Sequence, residues 1–129
     1  PRFQEFSQRY AEVQNFTVRE LRRQDNTNRQ NSIDDFSETD KLEFKKDCLE
    51  AIEYAKKLYT KWLKLGAAKE CVRVFLPEGL TMSRLYMAAP VRTWIHYLDL
   101  REGNGTQKEH VLVANAIRSE LKKIEPDLF

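Results

Sequence analysis

Apolar residues recur three and four positions apart at Phe44, Cys48, Ile52, Ala55, Leu58, Tyr59, Trp62 and Leu65, which is the spacing of one helix face. Lys41, Lys45, Lys46, Glu50, Lys57, Lys61 and Lys64 fall on the other side as a solvated face. Ser37 stands at the N-cap, Asp40 takes the reciprocal place of a capping box, and Gly66 supplies the stop. A helix is therefore expected over residues 38–65. A second amphipathic run, Val113, Ala114, Ile117, Leu121 and Ile124, follows a Thr106/Glu109 capping box and ends at Pro126. Between the two, the pattern predicts a short helix over 67–74 closed by Pro77 and a strand over 81–87. A break at Pro90, a helix over 91–100 and a loop over 102–105 follow. Ahead of the long helix, Phe3, Glu5, Ser7 and Arg9 share one parity, so in an extended segment they face one side. Residues 17–23 read as a short helix and 24–36 as a loop. The sum is an α+β fold: helix-rich, with a small sheet made of the Phe3 edge and residues 81–87, in one domain over 1–129.

Composition narrows the function classes. With 129 residues the chain is long enough for one domain with its own core. Hydrophobic residues at 41% and charged residues at 33% exclude a disordered tail. No apolar run approaches the roughly 20 residues of a membrane span, so no membrane partner is expected. Two cysteines are too few for a disulfide scaffold, which points to a reducing, cytoplasmic setting. A net charge of +2 is too balanced to argue for nucleic acid. Four glycines and no glycine-rich loop leave no phosphate cradle of that kind.

The basic residues are segregated by type. Residues 41–69 hold eight lysines and no arginine, whereas the basic residues of 71–107 are Arg73, Arg84, Arg92 and Arg101. Arginine alone among aromatics suits planar, bidentate recognition of an anion or a base, with structural salt bridging as the alternative. Arg92 and His96 lie four apart on one helix face. His96 by itself reads as a half-buried structural histidine, and His110 is on a different element, so no metal site is expected. Cys48 sits mid-face on the long helix as a core residue, and nothing around Cys71 marks a nucleophile. Glu5, Ser7 and Arg9 offer an acceptor, a hydroxyl and a guanidinium to a sugar and a phosphate. These residues describe an arginine-rich, metal-free site for a phosphorylated planar ligand and do not identify a reaction.

Four motifs carry a resemblance. Phe3-Gln-Glu-Phe-Ser-Gln-Arg-Tyr10 resembles the second half of the signature Arg-His-Arg-x-x-Ser-x-Asn-Glu-x-Ser-x-Arg of flavin-dependent thymidylate synthases. Gln4 replaces the Asn, and Arg2 falls where the first Ser would be. Arg73-Val-Phe-Leu-Pro77 is similar to the family's Arg-x-x-Leu-Pro, and the run from Arg92 through His96 to Arg101 to its Arg-x-x-x-(Asn/His)-Phe-(Leu/Ile)-x-x-Arg. Gln107-Lys-Glu109 matches the Gln-x-Glu that opens the last helix. Ala89-Pro90 stands where the family commonly has Asn. The order of the motifs implies the C-terminal portion of such an enzyme, starting inside the signature, with the Arg-His-Arg triplet expected ahead of Pro1.

The resemblance implies methylation of dUMP to dTMP, with methylenetetrahydrofolate giving the carbon, FAD carrying the hydride and NADPH reducing the flavin. Glu5, Phe6, Ser7, Gln8 and Arg9 would bind the nucleotide, with Ser7 and Arg9 at the phosphate and Arg73 as a further guanidinium. Glu5, Pro90, Val91, Arg92 and His96 would contact FAD. Arg101 would bind and activate the pyrimidine, with no cysteine nucleophile. The family is a homotetramer whose sites lie at subunit interfaces. Two alternatives stay open: a non-catalytic fragment or subunit of that enzyme, and a basic nucleic-acid-binding module using Arg19, Arg22, Arg23 and Arg29.

Overall fold

The structure is a computed structural model that describes residues 1–103 and 105–129. Asn104, within the loop expected over 102–105, lies outside the described residues. Four helices and four short strands are assigned among the described residues: β1 (Arg2–Glu5), β2 (Arg23–Gln24), β3 (Ser32–Ile33), α1 (Glu38–Lys64), α2 (Lys69–Val72), β4 (Leu85–Ala88), α3 (Val91–Arg101) and α4 (Lys108–Ile124). The helix-rich α+β expectation holds. The chain divides into two compact units, one of Pro1–Arg2, Arg22–Asp35 and Met87–Phe129, the other of Phe3–Leu21 and Phe36–Tyr86. No helix among the described residues is long and apolar enough to cross a membrane.

The second unit is built on α1. Ser37 Oγ accepts the Asp40 N–H at 3.1 Å and donates to the Asp40 carboxylate at 2.7 Å. Asp40 thus meets the cap's hydroxyl, a variation on the reciprocal box. At the other end Gly66 has φ of 87°, its N–H donates to the Leu63 carbonyl at 2.9 Å, and the Ala67 N–H donates to the Trp62 carbonyl at 3.0 Å. This pair of bonds is a Schellman stop that a side chain resists. Gly66→Ala is expected to cost about 1 kcal/mol in a denaturant melt, with no new contact to offset it. The apolar face is only partly used. Ile52, Ala55 and Tyr59 are buried, but Phe44, Trp62 and Leu65 are exposed and Cys48 is half-buried. The face is buried only along its middle, and α2 and the 3₁₀ turn Arg73–Phe75 pack against α1.

Several short elements differ from expectation. The alternation at the start ends at Glu5, where β1 stops and the chain turns at Ser7, so Ser7 and Arg9 do not continue a strand face. Residues 17–23 are not helical: Phe16 bridges Thr81, and the Thr17 N–H is taken by the Leu80 carbonyl at 2.8 Å. The expected strand over 81–87 is shortened to Leu85–Ala88, because Glu78–Leu80 is a 3₁₀ turn and Thr81 faces Phe16. β4 pairs with β1 in a two-stranded sheet, as the Phe3 edge implied.

In the first unit, the expected loop over 24–36 contains a hairpin, with Arg23 opposite Ile33 and Gln24 opposite Ser32. Its turn is organised by Asp25, which accepts the Thr27 and Asn28 N–H groups, the Thr27 hydroxyl and the Asn31 amide. Those bonds, the Asn31 amide foremost, hold the Asp25 carboxyl well below the usual range. α3 packs on α4, with Leu98 and Ala114 fully buried. The Thr106/Glu109 capping box does not form. Gln107 occupies the N-cap without a side-chain capping bond, its amide donating to Glu109 Oε2 at 2.9 Å, and Glu109 is drawn to Arg22. The α4 face also departs from expectation: Val113 and Ile124 are exposed, while His110, Ile117, Arg118 and Leu121 are half-buried beside Ala114. His110 bonds the Tyr97 hydroxyl at 2.8 Å.

Candidate functional site

In the second unit the signature strand is fastened to the segment before β4. The Phe6 N–H donates to the Arg84 carbonyl at 2.9 Å, and the Ser83 hydroxyl donates to Glu5 Oε1 at 2.8 Å. The chain then reverses. Ser7 Oγ accepts the Arg9 N–H at 3.2 Å, and the Ser7 carbonyl accepts the Tyr10 and Ala11 N–H groups at 3.2 and 2.9 Å. Serine closes such turns with its own side chain. Downstream, the Val13 N–H donates to the hydroxyl of buried Tyr59 at 3.2 Å, which anchors the following loop to α1.

Arg9 is oriented from α2: its Nε donates to Glu70 Oε2 at 2.7 Å. Glu70 lies three residues before Arg73, so the ion pair attaches the Ser7 turn to the segment that carries Arg73. The sequence contained the Glu70 signal but offered no reason to select it. Ser7 and Gln8 line a cavity of about 620 Å³ together with Phe6 and Arg84, and Arg9 is not in its lining.

In the first unit, Pro90 precedes α3 and its carbonyl accepts the Thr93 and Trp94 N–H groups at 2.9 and 3.2 Å. Val91, Arg92 and His96 are exposed, so His96 is not the half-buried structural histidine expected. Arg101 is exposed on the last turn. The end of α3 is held by Arg118 of α4, whose Nε donates to both Glu102 oxygens at 2.8 Å and whose Nη2 donates to Asp99 at 3.1 Å. Glu102 first, then Asp99, hold the guanidinium charge of Arg118 more firmly than usual.

The arginines therefore sort into two kinds. Arg9, Arg22, Arg23 and Arg118 are bound into ion pairs with, in turn, Glu70, Glu109, Asp35, and Asp99 plus Glu102. The side chains of Arg73, Arg84, Arg92 and Arg101 have no hydrogen-bond or ion-pair partner among the described residues and are exposed. No group of three His, Cys, Asp or Glu side chains among the described residues could hold a metal ion.

Residues 1–127 match the family described as thymidylate synthase complementing protein. The chain belongs to that family. The chain is 46% identical over 124 residues to the flavin-dependent thymidylate synthase of Synechocystis sp. (strain ATCC 27184 / PCC 6803 / Kazusa), covering 96% of this chain and 57% of the relative. It is 42% identical over 127 residues to the probable flavin-dependent thymidylate synthase of Paramecium bursaria Chlorella virus 1, covering 98% and 58%. The chain thus spans less than three-fifths of the length of these curated relatives. Among solved structures it is similar to the UMP/dUMP methylase PolB from Streptomyces cacaoi bound with 5-Br UMP. The TM-score is 0.82 at 28% identity, over 95% of this chain and 59% of that one. The same protein bound with 5-Br dUMP gives a TM-score of 0.83 at 28% identity, over 98% and 59%. This thymidylate synthase complementing family member shares its fold with a pyrimidine nucleotide methylase.

Proposed function

We propose that this chain carries part of the active site of a flavin-dependent thymidylate synthase, which converts dUMP to dTMP with methylenetetrahydrofolate as carbon donor and NADPH as reductant. The observation that carries the reading is the sorting of the arginines. Arg73, Arg92 and Arg101, which lie in the family motifs, are among the arginines whose side chains have no protein partner among the described residues, and unpaired guanidinium forks are what anionic, planar substrates require. The names of the relatives support the same reaction class.

In this reading Ser7 and Gln8 on the turn, with Arg9 and Arg73, bind the nucleotide. Glu70 orients Arg9 through Nε, which leaves its terminal nitrogens to the ligand. Arg101 places its guanidinium against the N3/O2 edge of uracil, favours the ionised pyrimidine and raises electron density at C5. A cysteine nucleophile is not needed, and neither half-buried Cys48 nor Cys71 lies in the family motifs. The exposed face of α3 fits FAD in its donor set: unpartnered Arg92 on the first turn suits a diphosphate, with His96 one turn on, beside Pro90 and Val91. Glu5, fixed by Ser83, serves nucleotide and flavin. FAD when bound supplies hydride transfer. The exposed apolar residues of α1 are consistent with a homotetramer whose sites are completed by neighbouring copies.

The nucleic-acid reading is weaker, because two of its four arginines, Arg22 and Arg23, are engaged in ion pairs. The deciding assay incubates the protein with FAD, dUMP, methylenetetrahydrofolate and NADPH. A flavin spectrum, dUMP-dependent NADPH oxidation and chromatographic dTMP are expected. Flavin-loaded protein that forms no dTMP would instead favour a non-catalytic fragment or subunit.

A further inference from the structure

Arg84 belongs to the lysine-free stretch, yet none of the motifs includes it. Its backbone is fixed beside the signature strand, since its carbonyl accepts the Phe6 N–H and its neighbour Ser83 holds Glu5. Its side chain is exposed and has no partner among the described residues. Arg84 lines the cavity of about 620 Å³, a volume in the range of small-molecule sites. It is the basic residue of that lining, because Arg9 is turned to Glu70 and is not part of it. Glu12 also lines the cavity and makes no ion pair with Arg84.

The cavity walls are held through main-chain N–H groups. The Met82 N–H donates to the Asn15 carbonyl at 3.0 Å, the Thr17 N–H to the Leu80 carbonyl, and the Val13 N–H to the Tyr59 hydroxyl. Phe6, Phe16 and Met82 give it apolar surface, while Ser7 and Gln8 bring hydrogen-bonding groups from the signature turn. A fixed, partly apolar cavity with one uncommitted guanidinium is built for a ligand that carries an anionic group.

We propose that Arg84 binds the anion in this cavity, receiving a phosphate or carboxylate of a substrate alongside Ser7 and Gln8. Only the identity of the substrates rests on the thymidylate synthase reading. The planar fork is the useful feature, so lysine substitutes poorly.

The test is phenylglyoxal footprinting of the protein, read by mass spectrometry, with inorganic phosphate, dUMP, methylenetetrahydrofolate or NADPH added singly. Arg84 is expected to react in the free protein and to be protected several-fold by at least one of the substrates. The protecting compound separates a nucleotide phosphate from a folate carboxylate or a dinucleotide phosphate. Arg84→Ala should then raise the KM of that substrate about tenfold, the size of one lost charged contact, with kcat little changed and Arg84→Lys recovering part. An Arg84 that is unreactive in free protein, or unprotected by all four compounds with every KM unchanged, overturns the proposal. The footprint needs no turnover, so a protein that makes no dTMP would defeat the thymidylate reading while the labelling still decides Arg84.

Discussion

Arg101→Ala is expected to stop dTMP formation while leaving the fold intact, with a loss of about 10²–10³ in turnover, the usual cost of removing one preorganised electrostatic group. Arg101 is exposed and its side chain makes no ion pair or hydrogen bond among the described residues. Its deletion therefore removes no folded-state hydrogen bond or ion pair among the described residues, and surface changes of this kind stay within about 0.5 kcal/mol. The turn on which it sits is held independently, by fully buried Leu98 and by Arg118 bonding Asp99 and Glu102 on either side. Asp99 and Glu102 are three apart and share a helix face, so the clamp that holds them leaves Arg101 on another side. Arg101→Lys should recover only part of the rate, because an ammonium cannot present two parallel N–H groups to the pyrimidine edge. The measurements are dTMP formation and a thermal melt by circular dichroism. Turnover that survives the alanine change near its original rate would sink the assignment of Arg101.

What was legible in the sequence follows the range of the interactions involved. The long helix, its Ser37 cap and its Gly66 stop are set by residues within a few positions of each other, and each formed. Helix α3 was legible for the same reason. The Thr106/Glu109 box failed through a contact 87 residues away in sequence: Arg22 offered Glu109 a charge, which outweighs a neutral cap bond. The helix expected over 17–23 was lost to pairing of Phe16 and Thr17 with residues 80–81, which no local pattern encodes. The alternation at Glu5, Ser7 and Arg9 was read as a strand face, but Ser7 closes a turn with its own side chain. Candidate site residues were legible through motif order. Their division into paired and unpaired arginines was not, because it depends on which acidic residues the fold brings to Arg22, Arg23 and Arg118.

Glu109→Gln is expected to destabilise the unit that holds the hairpin and α4 by about 2 kcal/mol at neutral pH, the order of one charge-assisted hydrogen bond in a half-buried setting. The side chains of Arg22 and Glu109 are only 10% and 16% exposed, and their N–O distance is 2.6 Å. The loss is limited because Arg22 Nε keeps its bond to Ser32 at 2.8 Å. Burial by itself would raise the Glu109 carboxyl. The Arg22 bond, helped by the Glu109 N–H and the Gln107 amide, more than reverses this and holds it below its ordinary value of 4.5. A carboxyl whose folded pKa lies below its unfolded one contributes stability that is present above the unfolded value and is lost as pH falls through the folded one. The gap in melting temperature between the parent protein and the Gln variant should therefore be widest near pH 7 and close progressively below about pH 4.5. The gap is the quantity to measure, because Asp25 in the hairpin turn has a lowered pKa of its own and sheds stability in the same acid range in both proteins. Parallel melting curves from pH 7 down to about pH 3 would show that the linkage does not run through Glu109. The location of the pair gives the effect its size. Arg22 adjoins β2, Ser32 lies in β3, and Glu109 opens α4, so a single guanidinium ties both strands of the hairpin to the last helix.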